Sequence, residues 1–258
     1  MPIEALQADL KIKSKTMTIL VVGASGATGR LLVEQLLNRG HCVKAIVRSP
    51  EKLPPPLKAH AGLSLVCASI LELSDEEMAG HVSGCDAVAS CLGHTMNWKG
   101  IYGHPRKLVT DATRRLCNAI KASKPEKPAR YVLMNTAGNR NLDLPEPISF
   151  VERCVVGLIR LLVPPHLDNE QAAEYLRSGI GKKDKAVEWA AVRPIYLTDE
   201  DNATEYEVFP SPIRSAIFGK GSTSRINVAH FMASLITDDD VWNKWKGQMP
   251  VIYNAGAS

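Results

Sequence analysis

The run TILVVGASGATGRLL, residues 18–32, constrains the fold more than any other stretch of the chain. Apolar and β-branched residues end abruptly at Gly23, and Gly26 and Gly29 follow at three-residue steps. An apolar helical pattern then starts at once. This order predicts a buried strand, a tight turn and a helix beginning near Ala27. Gly23 can take backbone angles closed to other residues, so the chain reverses at the end of the strand. Gly26 lets the backbone approach a ligand, and Gly29 lets the helix pack closely on the sheet. The unpaired N–H groups and positive dipole end of that helix face the turn and form a pyrophosphate site. A triphosphate-binding loop of the Lys-Ser/Thr type is excluded, because Arg30-Leu31 stands after the last glycine.

Gly40 closes the helix, and Cys42 to Val47 reads as the second strand. In a doubly wound sheet the end of this strand faces the adenosine ribose. An acid there binds the 2′-hydroxyl of NAD, whereas an arginine accommodates the 2′-phosphate of NADP. The chain has Val47-Arg48-Ser49-Pro50, with no acid before Glu51. The Arg48 guanidinium and Ser49 hydroxyl therefore predict NADP(H) as cofactor.

The segment VVGASGATGR, residues 21–30, resembles the opening of atypical short-chain dehydrogenase/reductases of the NmrA-like and biliverdin/flavin-reductase-like group. The order of later motifs carries the resemblance from Thr18 nearly to the C-terminus. It implies an α/β fold, a Rossmann-type doubly wound, mainly parallel sheet with a small C-terminal substrate lobe. It also implies NADP(H) binding, in a group that holds both small-molecule reductases and nucleotide sensors. Around the turn, Ser25, Ala27 and Thr28 join the three glycines as cofactor-binding residues. After the third strand, Leu63 to Cys67, the resemblance sets Ser69 and Ile70 beside the adenine. Ser69 replaces the aspartate of related proteins, and Ile70 packs on the ring. Cys91-Leu92-Gly93, ending the fourth strand, pass beneath the pyrophosphate and ribose. Asn135 and Thr136 end the fifth strand, where a serine of the classical enzymes orients the substrate carbonyl. Gln171 stands where a lysine faces the nicotinamide ribose, and Pro194-Ile195, after the strand Val187 to Val192, line the nicotinamide pocket.

Three side chains are candidates for proton delivery. Thr136 supplies a hydroxyl, Tyr196 follows the sixth strand toward the pocket, and His94 lies at the carboxyl end of the fourth. Each has a structural alternative: a loop-start hydrogen bond for Thr136, packing for Tyr196, a solvated loop for His94. The Tyr-x-x-x-Lys dyad, whose lysine lowers the phenol's pKa, is absent. Tyr102 is followed at that spacing by Arg106, Tyr131 by Asn135 and Tyr175 by Gly179. These features predict an NADPH-dependent oxidoreductase that transfers a hydride to a small carbonyl, imine or conjugated double bond. The protein's part is to hold substrate and nicotinamide in contact. The alternatives are an NADP(H)-sensing regulatory protein without turnover and a nucleotide-dependent epimerase or dehydratase.

A length of 258 residues suits one such domain over 18–258 after an extension at 1–17, in which Ile3, Leu6 and Leu10 recur at helical spacing. The substrate lobe is expected mainly from 140–180 and 195–258. A charged share of 22% and a net charge of +4, spread along the chain, leave no basic patch for nucleic acid. Six scattered cysteines without a Cys-x-x-Cys pair predict a reducing, cytoplasmic setting and no structural metal. Ile148 to Val163 is apolar but too short and too charged to span a membrane. It predicts a buried helix, a pocket wall or a subunit contact, in a monomer or homodimer. Leu53-Pro54-Pro55-Pro56 predicts a stiff surface connector, His94 to Gly100 a substrate-facing loop, and His166 to Glu170 the capped start of a helix.

Overall fold

The strand β1 (Thr18–Val22) is the hub of the sheet, with Ile19 to Val22 wholly buried. It pairs in parallel with β2 (Cys42–Val47) on one side and β4 (Ala87–Ser90) on the other. β3 (Leu63–Cys67) flanks β2, while β5 (Ala129–Met134) and β6 (Val187–Pro194) continue beyond β4, all parallel. β10 (Val251–Asn254) joins β6 in parallel, and β8 (Tyr206–Phe209) closes the edge antiparallel to β10. The order β3-β2-β1-β4-β5-β6-β10-β8 turns back between β1 and β4. The carboxyl ends of those two strands therefore open the crevice in which doubly wound sheets take ligands. β7 (Leu197–Thr198) and β9 (Thr223–Ser224) form a separate short parallel pair. The computed structural model describes residues 15–94, 97–146, 148–215, 218–219 and 221–256. Ile3, Leu6 and Leu10 lie outside the described residues, as do Thr95 and Met96 of the loop after β4.

Alternation along β1 sends Ile19 and Val21 to one face and Leu20 and Val22 to the other. On the first face, α1 (Ala27–Asn38) brings Leu32 and Leu36, and α8 (Arg225–Thr237) brings Phe231 and Leu235. On the second, Leu116 and Ile120 of α5 (Leu108–Ala122) pack with Ala172 of α7 (Pro164–Glu174). The segment 195–258 thus supplies two strands and a covering helix of the main body, besides the loops over the site.

One sequence expectation is overturned by the structure and another is narrowed. The proline run is not an extended connector: a 3-10 turn (Pro50–Lys52) leads into α2 (Pro55–Lys58), and Leu53 and Leu57 are buried. Proline is well placed in a first helical turn, where its missing N–H costs no hydrogen bond. The apolar run after Ile148 forms α6 (Phe150–Leu162), whose start is fixed by a Ser149–Glu152 capping box; none of its residues is buried, so of the three expectations the buried helix fails, while Ile148 and Val156 wall a cavity. Phe150 and Leu161 are each 78% exposed, and only one side of the helix, with Val155, Val156 and Ile159, turns partly inward. Among the described residues, no helix is long and apolar enough to cross a membrane.

Candidate functional site

The glycine turn is built as a cradle. Gly23 has φ +77°, and a Cβ added to it would lie 2.5 Å from the Cys91 carbonyl carbon and 2.8 Å from Leu92 N. The end of β1 thus presses on the end of β4, and Cys91 N–H donates to Val22 O at 2.9 Å. A Cβ at Gly29 would lie 2.2 Å from Gly23 O, so Gly29 packs α1 on the turn itself rather than on the sheet. Gly26 caps α1 with extended backbone, and an added Cβ there would meet only Gly23 O, at 3.2 Å. No side chain caps α1 and no acid stands in its first turn. By contrast, α3 (Asp75–Val82) has a full serine–glutamate capping box. The leading N–H groups of α1 are left for an anion. Ser25 and Ala27 border this end, with Thr28 buried behind it.

Around the turn the strand ends come together. Arg48 is exposed beyond β2, with Ser49 half-buried beside it, and the Cys67 thiol of β3 lies 4.0 Å from the Arg48 carbonyl. The Ser69 carbonyl accepts N–H bonds from Glu72 and Leu73. Ile70 is 5% exposed within the second core, which leaves little of its side chain for an adenine ring. Beyond β4, Leu92 packs on that core while Gly93 is exposed and open. Burial pushes the Cys91 thiol up to about 12, which makes it a poor nucleophile.

His94 is neither a solvated loop residue nor a free acid. Its Nε2 lies 2.7 Å from Asp168 Oδ2 and its Nδ1 3.2 Å from Gly100 O, with the side chain 5% exposed. The loop beyond it includes α4 (Trp98–Tyr102), and the Tyr102 hydroxyl donates to Leu162 O. Nor does Asp168 cap its own helix. α7 begins at Pro164, and the Asp168 carboxylate instead accepts the Val109 and Thr110 N–H groups at the start of α5, at 2.8 and 2.9 Å. Burial pushes this carboxyl up, but the His94 and Thr110 bonds and the backbone N–H groups outweigh it and hold it below the usual aspartate value.

At the end of β5, Asn135 is turned inward. Its amide donates to Asn169 O and its oxygen accepts from Thr136 N and from the Asn139 side chain. Thr136 is half-buried, and its hydroxyl accepts the Gly138 N–H at 3.2 Å. His166, on α7, packs against Gly138: a Cβ there would be 3.2 Å from His166 Cε1. Gln171 lines a cavity of about 220 Å³ with Arg160 and Glu170. At the end of β6, Pro194 and the next residue Ile195 are buried and Tyr196 is 58% exposed.

Arg193 lies behind this end of the sheet, fully buried. Its guanidinium meets Glu146 in a fork, at 2.7 and 3.1 Å, and also donates to the carbonyls of Asn139, Pro210 and Met249. The pair ties the loop after β5 to the loop after β8. Between those loops lies a second cavity of about 320 Å³, walled by Ala137, Gly138, Ile148, Val156 and Pro212, with Arg140 and Arg214 at its polar side.

A glycine-lined, uncapped helix start at the reversal of a parallel sheet has the geometry that receives a phosphate group. A family model described as NAD(P)H-binding matches residues 23–239. The chain belongs to this family. An uncharacterized chloroplastic protein of Arabidopsis thaliana is 45% identical over 62 residues, 24% of this chain and 22% of that relative's length. Many solved structures share the fold, among them two at TM-score 0.68. One, from Bacillus halodurans, is provisionally an NAD-dependent epimerase/dehydratase, with 22% identity, TM-score 0.68, and coverage of 93% of this chain and 94% of that one. The other is a short-chain dehydrogenase/reductase from Veillonella parvula in complex with NADP, with 16% identity, TM-score 0.68, and coverage of 93% and 96%.

In this NAD(P)H-binding chain, the residues that sequence reasoning missed are those whose partners are distant. Arg193 reads as half of an Arg-Pro motif, yet its bond to Glu146 spans 47 residues. His166 reads as part of a capping run, yet it faces the end of β5. A charged residue directly after the apolar run Trp189 to Val192 was the available signal for Arg193, since such a group must be paired when buried.

Proposed function

We propose that this protein is an NADPH-dependent oxidoreductase acting on a small carbonyl, imine or conjugated double bond. The observation that supports it most is the uncapped start of α1 at the sheet's reversal, with Arg48 exposed at the neighbouring strand end. In this reading, the free N–H groups over 27–29 hold the pyrophosphate, Arg48 and Ser49 the 2′-phosphate, and Gly93, Pro194 and Ile195 flank the nicotinamide. The bound cofactor supplies the hydride. The chain orients the substrate against it in the cavity beyond β5, between the apolar side chains of Ile148, Val156 and Pro212 and the charged Arg140 and Arg214.

Titration of NADPH and NADH into the wild type and Arg48→Ala tests the cofactor assignment. A charge-assisted contact contributes about 1.5–3 kcal/mol, or roughly tenfold to a hundredfold in affinity. The wild type is expected to prefer NADPH by that factor and the variant to lose the preference. Equal wild-type affinities remove the assignment. NADPH consumption with quinones, flavins, aldehydes and imines tests the chemistry. Tight NADPH binding with no turnover favours the nucleotide-sensing alternative, which the missing Tyr-x-x-x-Lys dyad supports.

A further inference from the structure

We propose that His166 is the proton source of this reaction, working through the Thr136 hydroxyl with Glu170 behind it; the proposal rests on the reductase reading above. The three groups converge just beyond the carboxyl end of β5. A Cβ built on Gly138 would lie 3.6 Å from Thr136 Oγ1 and 3.7 Å from His166 Nδ1, so hydroxyl and ring flank one point. Gly138 is also a wall of the cavity of about 320 Å³. The Thr136 hydroxyl accepts the Gly138 N–H, which leaves its own proton to give away.

On the far side of the ring, His166 Nε2 is buried without a hydrogen-bond partner, yet stands 3.4 Å from Glu170 Oε1, one helical turn along α7. Arg160 grips the same carboxylate in a fork, at 2.7 and 2.8 Å. Burial pushes the Glu170 carboxyl up, but His166 and Arg160 outweigh it and hold it low, so an anion backs the ring. A hydroxyl, an imidazole and a carboxylate in series are the parts of a proton relay. His94 does not compete, because Asp168 and Gly100 O occupy both of its ring nitrogens.

As the substrate carbon accepts the hydride, its carbonyl oxygen or imine nitrogen takes the Thr136 hydroxyl proton. Thr136 is restored by the proton on His166 Nδ1, carried across the gap between them by a bridging water, and the imidazolium becomes neutral imidazole. Water returns that proton before the next turnover.

The test uses the carbonyl substrate that the wild type turns over fastest. General acids contribute about a hundredfold to ten-thousandfold, so kcat of His166→Gln and of Thr136→Val should fall by that order with NADPH affinity unchanged. Imidazole added to His166→Ala should restore part of the rate, which a purely structural role would not allow. Without turnover, the His166 ring resonances should move when the same carbonyl compound is added to the protein holding NADP⁺. A near-wild-type kcat in His166→Gln, or ring resonances indifferent to the carbonyl compound, overturns the relay while the reductase reading stands. A wild type that consumes no NADPH removes the reductase reading and the relay with it.

Discussion

Removing Glu146 should unfold the chain far more readily than its position in a loop suggests. Arg193 is wholly buried and the Glu146 side chain is 4% exposed. In Glu146→Ala the guanidinium loses both limbs of the fork, and Asn141 N–H loses an acceptor at 2.7 Å. Three carbonyls remain, at 2.6 to 3.1 Å, and they cannot neutralise a full charge that water does not reach. Breaking one side of a buried pair costs about 3–5 kcal/mol. For a chain of this size each kcal/mol moves the midpoint by about 2–4 °C, so a fall of roughly 6–20 °C is expected. Thermal and urea unfolding measure it, with equal transitions by two probes to justify a two-state treatment. Glu146→Gln keeps the shape and one acceptor and should lose less. The double replacement Arg193→Met/Glu146→Leu removes the stranded charge and should recover much of the loss. A Glu146→Ala midpoint matching the wild type would show that the guanidinium is solvated or paired elsewhere, and would refute this account of how the two cavity loops are held.

Two further outcomes follow from the same geometry. Gly26→Val should stay folded, since its Cβ meets only Gly23 O at 3.2 Å, but should not bind NADPH; Gly29→Ala, 2.2 Å from the same oxygen, should disrupt the turn. Melting curves and NADPH titrations separate the two, and wild-type affinity in Gly26→Val would move the phosphates off the turn. Asp168, held below its ordinary value of 3.8, contributes stability that is fully present above that value and lost as pH falls through its depressed native value. Asp168→Asn should therefore be less stable than the wild type near neutrality, with a flatter decline in acid; parallel urea midpoints for both proteins across a pH series would remove the carboxylate from the account.

Much of the architecture is legible in the sequence because it is local. The strand–turn–helix at 18–32 is written in β-branched residues, three glycines and a 3.6-residue period, and each acts within a few positions of itself. The parallel sheet follows from the repetition of that unit, and Arg48 takes its place from the end of the second strand. Contacts between distant segments are not written this way. Composition marks 148–163 as apolar, but it cannot say that α6 would lie over the surface with Leu161 exposed, because burial depends on what else covers a face. The prolines at 54–56 look extended until Leu57 finds the core, and that contact fixes a helical turn. Asp168 sits inside one helix and caps another 58 residues away, through Thr110, because a carboxylate serves whichever free N–H groups the packing brings to it. Directed bonds of this kind depend on side chains meeting within about 3 Å. Periodicity carries no record of such meetings, so the sequence by itself determined the strand, glycine turn and helix at 18–32, while only tertiary packing decided the buried Arg193–Glu146 tie and the company His166 keeps.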